Sequence, residues 1–171
     1  MIYRAAIEDL EIVNALFEAV MDYEDQHVKY SVFQKGIYPT KDVLKESIRD
    51  GFVFILKDEN GTPCGSIVCD EQEPEEYEGL PWTEGNSLVI HLLGISPEHY
   101  GKGYGSELVR FIFQFAKEQG YVSVKLDTGG QNKPAQHLYG TKLGFRVVAN
   151  KSMIVGGKIP HKDHFFYEYL V

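Results

Sequence analysis

Residues 97 to 105 read Pro-Glu-His-Tyr-Gly-Lys-Gly-Tyr-Gly and lie between two apolar patterns. Upstream is Leu88-Val-Ile-His-Leu-Leu-Gly-Ile95, the pattern of a buried strand. Downstream, Leu108, Phe111, Ile112 and Phe115 share one face of a helix. A strand, a glycine-rich turn and a helix in that order cluster unpaired backbone N–H groups at a helix N-terminus, which suits a phosphate or pyrophosphate. Three glycines would also serve a plain flexible loop. A cradle, however, needs backbone that approaches the anion without Cβ atoms in the way, and regular spacing serves that need. His91 interrupts the strand, where an unpaired imidazole is costly to bury. It is either a core histidine bonded to a neighbouring segment or a group placed to take a proton near neutral pH. His161, Asp163 and His164 bring imidazole and carboxylate together, but no further ligand stands near them. A surface turn is expected there, and no metal.

The elements that must hold these residues follow from periodicity. A first strand is expected over residues 2 to 6, then a helix carrying Leu10, Val13, Leu16, Phe17, Val20 and Met21, with Asp9 or its neighbours as cap. Residues 22 to 38 leave room for a short second helix. Thr40 is a good N-cap for a helix over 41–49 that Gly51 ends. Phe52–Leu56 and Gly65–Cys69 read as a hairpin around Asp58-Glu-Asn-Gly61. Between 70 and 85 comes a loop with seven carboxylates and no basic side chain, expected as a solvated acidic segment or as a rim attracting cations. Strand 86–95, helix 103–119, strand 121–126, a short helix from 133 to 142, strand 144–148 and a final strand 165–170 complete the series. Residues 149 to 163 read as a long connection or loose hairpin. The pattern predicts one mixed α/β (α+β) domain over residues 1–171.

At 171 residues the chain can bury one core and is short for two domains. Seventeen basic against 25 acidic residues give a net charge of −8, which argues against a general nucleic-acid binder. Cys64 and Cys69 fall in one strand and are not expected to pair. No signal-peptide pattern and no run of transmembrane length is present, so a cytoplasmic protein without membrane attachment is expected.

The strand, the Tyr100-Gly-Lys-Gly-Tyr-Gly105 turn and the following helix resemble the acyl-CoA-binding segment of the GNAT N-acetyltransferase superfamily. Asn132-Lys-Pro-Ala135, Tyr139 and Leu143-Gly-Phe145 resemble its next motif at the expected distance, and Tyr3-Arg-Ala-Ala6 with Glu8-Asp-Leu10 resembles its opening. The resemblance implies a twisted mixed sheet with a splayed parallel strand pair and flanking helices. It also implies acetyl transfer from acetyl-CoA to an amine-bearing small molecule or peptide in a ternary complex. Leu92, Leu93, Gly94 and Ile95 would then bind the pantetheine arm through their backbone, with a bulge or simple packing relief at Gly94. Tyr100, Gly101, Lys102, Gly103, Tyr104, Gly105 and Ser106 would hold the pyrophosphate, Ala135 would contact the cofactor, and Asn132 would cap the helix, contact the cofactor or do both. His91 would be the base, with Glu84 and its neighbouring carboxylates as alternatives. Tyr139, which position alone would assign to packing, becomes the acid that protonates the thiolate. Tyr23, His27, Trp82 and Glu84 would line the acceptor side, though ordinary surface placement explains these residues just as well. The family usually has Arg or Gln where this chain has Tyr100, so the cradle would rest more on backbone N–H groups, with Lys102 adding a point charge. A non-catalytic acyl-CoA-binding or regulatory protein is the alternative. By resemblance a homodimer is plausible.

Overall fold

A computed structural model describes all 171 residues. Seven strands, β1 (Ile2–Arg4), β2 (Phe52–Lys57), β3 (Pro63–Asp70), β4 (Ser87–Ile95), β5 (Ser123–Gly129), β6 (Arg146–Val155) and β7 (Ile159–Leu170), form one sheet. Their order is β1-β2-β3-β4-β5-β7-β6, and every neighbouring pair is antiparallel except β4 with β5. The helices are α1 (Leu10–Gln26), α2 (Lys41–Asp50), α3 (Tyr104–Glu118) and α4 (Lys133–Gln136), the last continuing as a π-helical turn, His137–Lys142.

Two apolar layers sandwich the sheet. On one face Leu108, Val109, Ile112 and Ala116 of α3 pack on Leu88, Ile90, Ile67 and Leu126. On the other, Val13, Phe17 and Met21 of α1 and Leu44 and Ile48 of α2 pack on Val53, Ile55, Val68 and Leu92. Thr40 caps α2 as its sequence predicts, its hydroxyl accepting from the Val43 N–H at 3.3 Å. Asp9 instead accepts from the Ala6 N–H at 2.9 Å, holding the turn before α1. Residues 28 to 40 contain no helix. Their polar groups are tied locally, with Ser31 bonded to the buried Glu24 and an isolated bridge from Gln34 to Tyr38. Cys64 and Cys69 are free and buried.

The segment 149–163, expected as a long connection or loose hairpin, is a long paired hairpin of β6 and β7 with register slips after Val147 and Lys151, turning at Gly156-Gly157, both at positive φ. A Cβ on Gly156 would meet the Tyr38 ring at 2.4 Å, so the hairpin tip lies directly on the segment before α2.

The β4–β5 pair splays. Residues Ser87 to Ile90 register with Ser123 to Leu126 and pairing stops there, although β4 continues against β3 to Ile95 and β5 against β7 to Gly129. The cause lies on β4, where Leu92 opposes Val68 and Ile90 opposes Cys69, leaving His91 unpaired as a bulge. The bulge is therefore at His91 and not at Gly94, which pairs regularly with Ser66. Gly94 is required for packing, because a Cβ there would come 2.9 Å from the buried Phe17 ring. Gly94→Ala is expected to destabilise the fold by about 1–3 kcal/mol, the usual cost of overpacking, measured as a lower urea midpoint with an unchanged m-value.

Candidate active site

The splay opens a cleft of about 530 Å³ between β4 and β5. Leu93, Gly94 and Ile95 border it on one strand, Leu126 to Gly129 on the other, and the glycine turn closes one end. Gly101 and Gly103 adopt φ of 77° and 85°, and a Cβ at either would meet nothing within 4 Å. Glycine is needed there for the left-handed backbone rather than for space. None of the N–H groups from Gly101 to Ser106 donates to a backbone carbonyl, the first i→i−4 bond being Glu107 to Gly103 at 3.1 Å. The Ser106 hydroxyl is also buried without a partner. Six adjacent donors at the N-terminus of a fifteen-residue helix form an anion site.

On the facing wall, the Asn132 side chain accepts from the Ala135 N–H at 3.1 Å and so caps the helix, while both residues border the cleft. Pro134 occupies an early helical position, where its missing N–H costs nothing. The π-turn that follows carries Tyr139, whose ring packs on Phe145 and Tyr167 and whose edge reaches the cleft. Burial, and next the charge of Asp127, hold its phenol above the ordinary tyrosine range, so it is a neutral donor at any working pH.

The bulge turns His91 to the face opposite α3, where its Nε2 lies 2.7 Å from Asp70 Oδ1. An ionised carboxylate only accepts, so Nε2 donates to Asp70 and Nδ1 carries the free lone pair. On β5, Asp127 accepts from the Tyr77 hydroxyl at 2.9 Å. Burial pushes its carboxyl up to about 6, opposed by the Tyr77 hydrogen bond and the neighbouring His91. His91 and Asp127 border both the cleft and a second cavity of about 470 Å³, walled by residues 72–76 and 153–157. Glu73, Glu75, Glu76 and Asp127 line that cavity, and no lysine or arginine does.

An anion cradle, a splayed parallel pair and a tyrosine across the gap are the parts expected of an acyl-CoA site. Residues 13–145 match the acetyltransferase (GNAT) family. The chain belongs to that family. Human N-acetyltransferase 8B is 32% identical over 114 residues, covering 61% of this GNAT chain and 50% of the relative. The chain spans about half the length of the curated relatives it matches. A Staphylococcus aureus Mu50 protein assigned as an acetyltransferase superposes with a TM-score of 0.70 at 26% identity, over 99% of this chain and 98% of the other. A GNAT-family acetyltransferase from Listeria monocytogenes gives a TM-score of 0.78 at 16% identity over 100% and 94%, a likeness of fold alone.

Within this GNAT chain, most of the expected site residues converge. Leu93, Gly94, Ile95, Tyr100, Gly101, Gly103, Tyr104, Gly105, Asn132, Ala135, Tyr139 and His91 all border the cleft. Leu92 turns its side chain into the α1–α2 layer, leaving only backbone for the cleft, and Lys102 is exposed outside it. Tyr23 reaches the cleft at the glycine turn, packing edge-on against Tyr100 with centroids 5.4 Å apart.

Three residues expected on the acceptor side border neither cavity. His27 stacks on Tyr23 at 3.9 Å, bonds the Tyr23 carbonyl and stays on the surface. Trp82 donates its indole N–H to the Tyr77 carbonyl and packs on Tyr77 under Lys125, away from both cavities. Glu84 is exposed and borders neither cavity. The acidic loop is not merely solvated: Glu73 binds Lys125 and Ser87, Glu71 accepts from Tyr121, and Tyr77 is buried. Asp70, Asp127 and Tyr77 were missed. Asp127 carried a signal, since it follows the apolar β5 pattern as His91 interrupts that of β4.

Proposed function

We propose that residues 1–171 act as one N-acetyltransferase domain that passes an acetyl group from acetyl-CoA to a primary amine of a small molecule or peptide. The observation that carries this reading is the row of six unbonded N–H groups leading into the gap between β4 and β5. A pyrophosphate suits the row, and the unpaired edge of β4 past Ile90 suits the amides of a pantetheine arm, joining as an extra strand. A backbone N–H near Leu93 is placed to stabilise the oxyanion. His91, steered by Asp70, takes a proton from the incoming ammonium at Nδ1. Asp127 faces the same nitrogen, and Tyr139 donates its hydroxyl hydrogen to the departing sulfur.

The second cavity favours a cationic acceptor. Glu75, Glu76 and Asp127 line it beside Glu73, which is already paired with Lys125, and no lysine or arginine does, so an amine entering there exchanges its hydration for negative charge. The test is a panel of chemically varied amines incubated with acetyl-CoA, read as free CoA release and the mass of the product. Acetylated diamines or other cationic amines are expected. Tight acetyl-CoA binding without any acetylated product would instead indicate a non-catalytic binding protein.

A further inference from the structure

His161 and His164, three residues apart on β7, would face opposite sides of a regular strand. The register is irregular at this point: Lys151 opposes His164 and Met153 opposes His161, so Ser152 of β6 stands against Lys162 and Asp163 of β7. The slip brings both imidazoles to one side, edge to face, with centroids 4.6 Å apart and Nδ1 to Nδ1 2.8 Å. His164 is 1% exposed and also borders the acyl cleft. Its other nitrogen, Nε2, lies 3.6 Å from Asp127 Oδ2, longer than a hydrogen bond but close for a dipole and a charge. Burial, then the neighbouring His161, push the His164 imidazole down to about 4, so it is neutral and holds one ring hydrogen.

Only two placements of that hydrogen satisfy the 2.8 Å contact. If His164 donates from Nδ1, its Nε2 lone pair points at the carboxylate. If His161 donates instead, His164 Nδ1 accepts and Nε2–H faces Asp127. The first opposes an ionised Asp127 and the second favours it. The groups around this line are Asp163 on β7, Glu76 on the loop, Tyr77 and His91 beside Asp127, and the Tyr38 and Tyr139 phenols, which feel the same carboxylate. None of these supplies an N–H to Oδ2.

We propose that His161 and His164 are positioning residues: His161 donates to His164, which thereby turns its single ring hydrogen toward Asp127 and keeps that carboxylate ionised and aimed at the acceptor nitrogen. The part played by Asp127 rests on the reading above. The two-histidine line behind it is independent of that reading.

The test is an NMR titration of the Asp127 carboxyl carbon in the wild-type protein, in His164→Phe, in His161→Phe and in the double variant. Phenylalanine keeps the ring volume and removes the N–H. The Asp127 midpoint should rise by roughly one pH unit in His164→Phe, the size expected for loss of one favourable neighbour. It should also rise in His161→Phe, although His161 does not touch Asp127. The double variant should move no further than His164→Phe alone, because the two rings act as one unit. The Asp127-dependent part of the acid limb of kcat/KM should shift upward with that midpoint. His161 is partly exposed, so its variant tests the line even where His164→Phe fails to fold. Unmoved midpoints in folded variants, or shifts that add, would overturn the proposal. Shifted midpoints in a protein that acetylates no amine would sink the proposed function and leave the two-histidine line intact.

Discussion

Replacing Tyr139 by Phe is expected to lower kcat by roughly 10²- to 10⁴-fold, the usual contribution of a positioned proton donor, while acetyl-CoA affinity is little changed. The ring itself supplies packing on Phe145 and Tyr167, and Phe retains it. What is lost is one hydroxyl at the edge of the cleft. Burial holds the phenol protonated, so it has a hydrogen to give throughout the working pH range and carries no positive charge that would trap the thiolate. Stopped-flow acetyl transfer alongside calorimetric binding separates the two effects. A folded variant with wild-type turnover would end the assignment of Tyr139 as the acid.

The second large effect concerns His91. His91→Gln should reduce kcat/KM by roughly 10²- to 10⁴-fold and change the shape of its pH profile. Under the proposed roles, His91 must have Nδ1 free to accept a proton and Asp127 must be ionised to hold the ammonium. The variant loses the first step and keeps the second, so its rate still declines as pH falls through about 6, where Asp127 takes up a proton. The sign follows from burial, which raises the carboxyl and brings its titration into this range. Glutamine can still bond Asp70, so the bulge and the splay should persist. An unaltered profile in the variant would exclude His91 as the base.

The segment from β4 through α3 was legible in the sequence because its signals are local: an apolar strand, glycines that alone tolerate φ near 80°, and a helix with one apolar face. The site residues on it could therefore be read in order, and Asn132 to Tyr139 added the opposite wall. The bulge was misplaced for a physical reason. Gly94 looked like the cheap place for a kink, yet its missing Cβ makes room for Phe17, about 77 residues away in sequence, a contact no local pattern reveals. The kink falls instead on His91, a position that sequence marked only as polar. Asp70, and Asp127 despite its place after the apolar β5 pattern, escaped notice for a related reason. Each is one carboxylate among many in an acidic chain, and only strand pairing brings them to opposite sides of His91. Trp82 shows the reverse error: an aromatic in a loop suggested a substrate wall, whereas its indole N–H found a backbone carbonyl and its ring found Tyr77. Long-range pairing also made β6 and β7 a continuous paired hairpin where Gly156, Gly157 and Pro160 had suggested a long connection or loose hairpin.

Tyr100 removes the guanidinium or amide that the family usually places at the leading edge of the cradle. It packs on Tyr23, and burial, followed by the charge of Glu24, holds its phenol up at about 12. In the proposed reading, pyrophosphate binding falls on backbone N–H groups, which cannot be removed by side-chain substitution but can be observed one by one. The most direct measurement is an amide NMR titration of the isotope-labelled protein with acetyl-CoA. The account predicts large, saturable shifts for the amides of Gly101 to Ser106, together with those of Leu93 to Ile95 along the splayed strand. Acetyl-CoA binding that leaves these amides unmoved, or no binding at all, would contradict it.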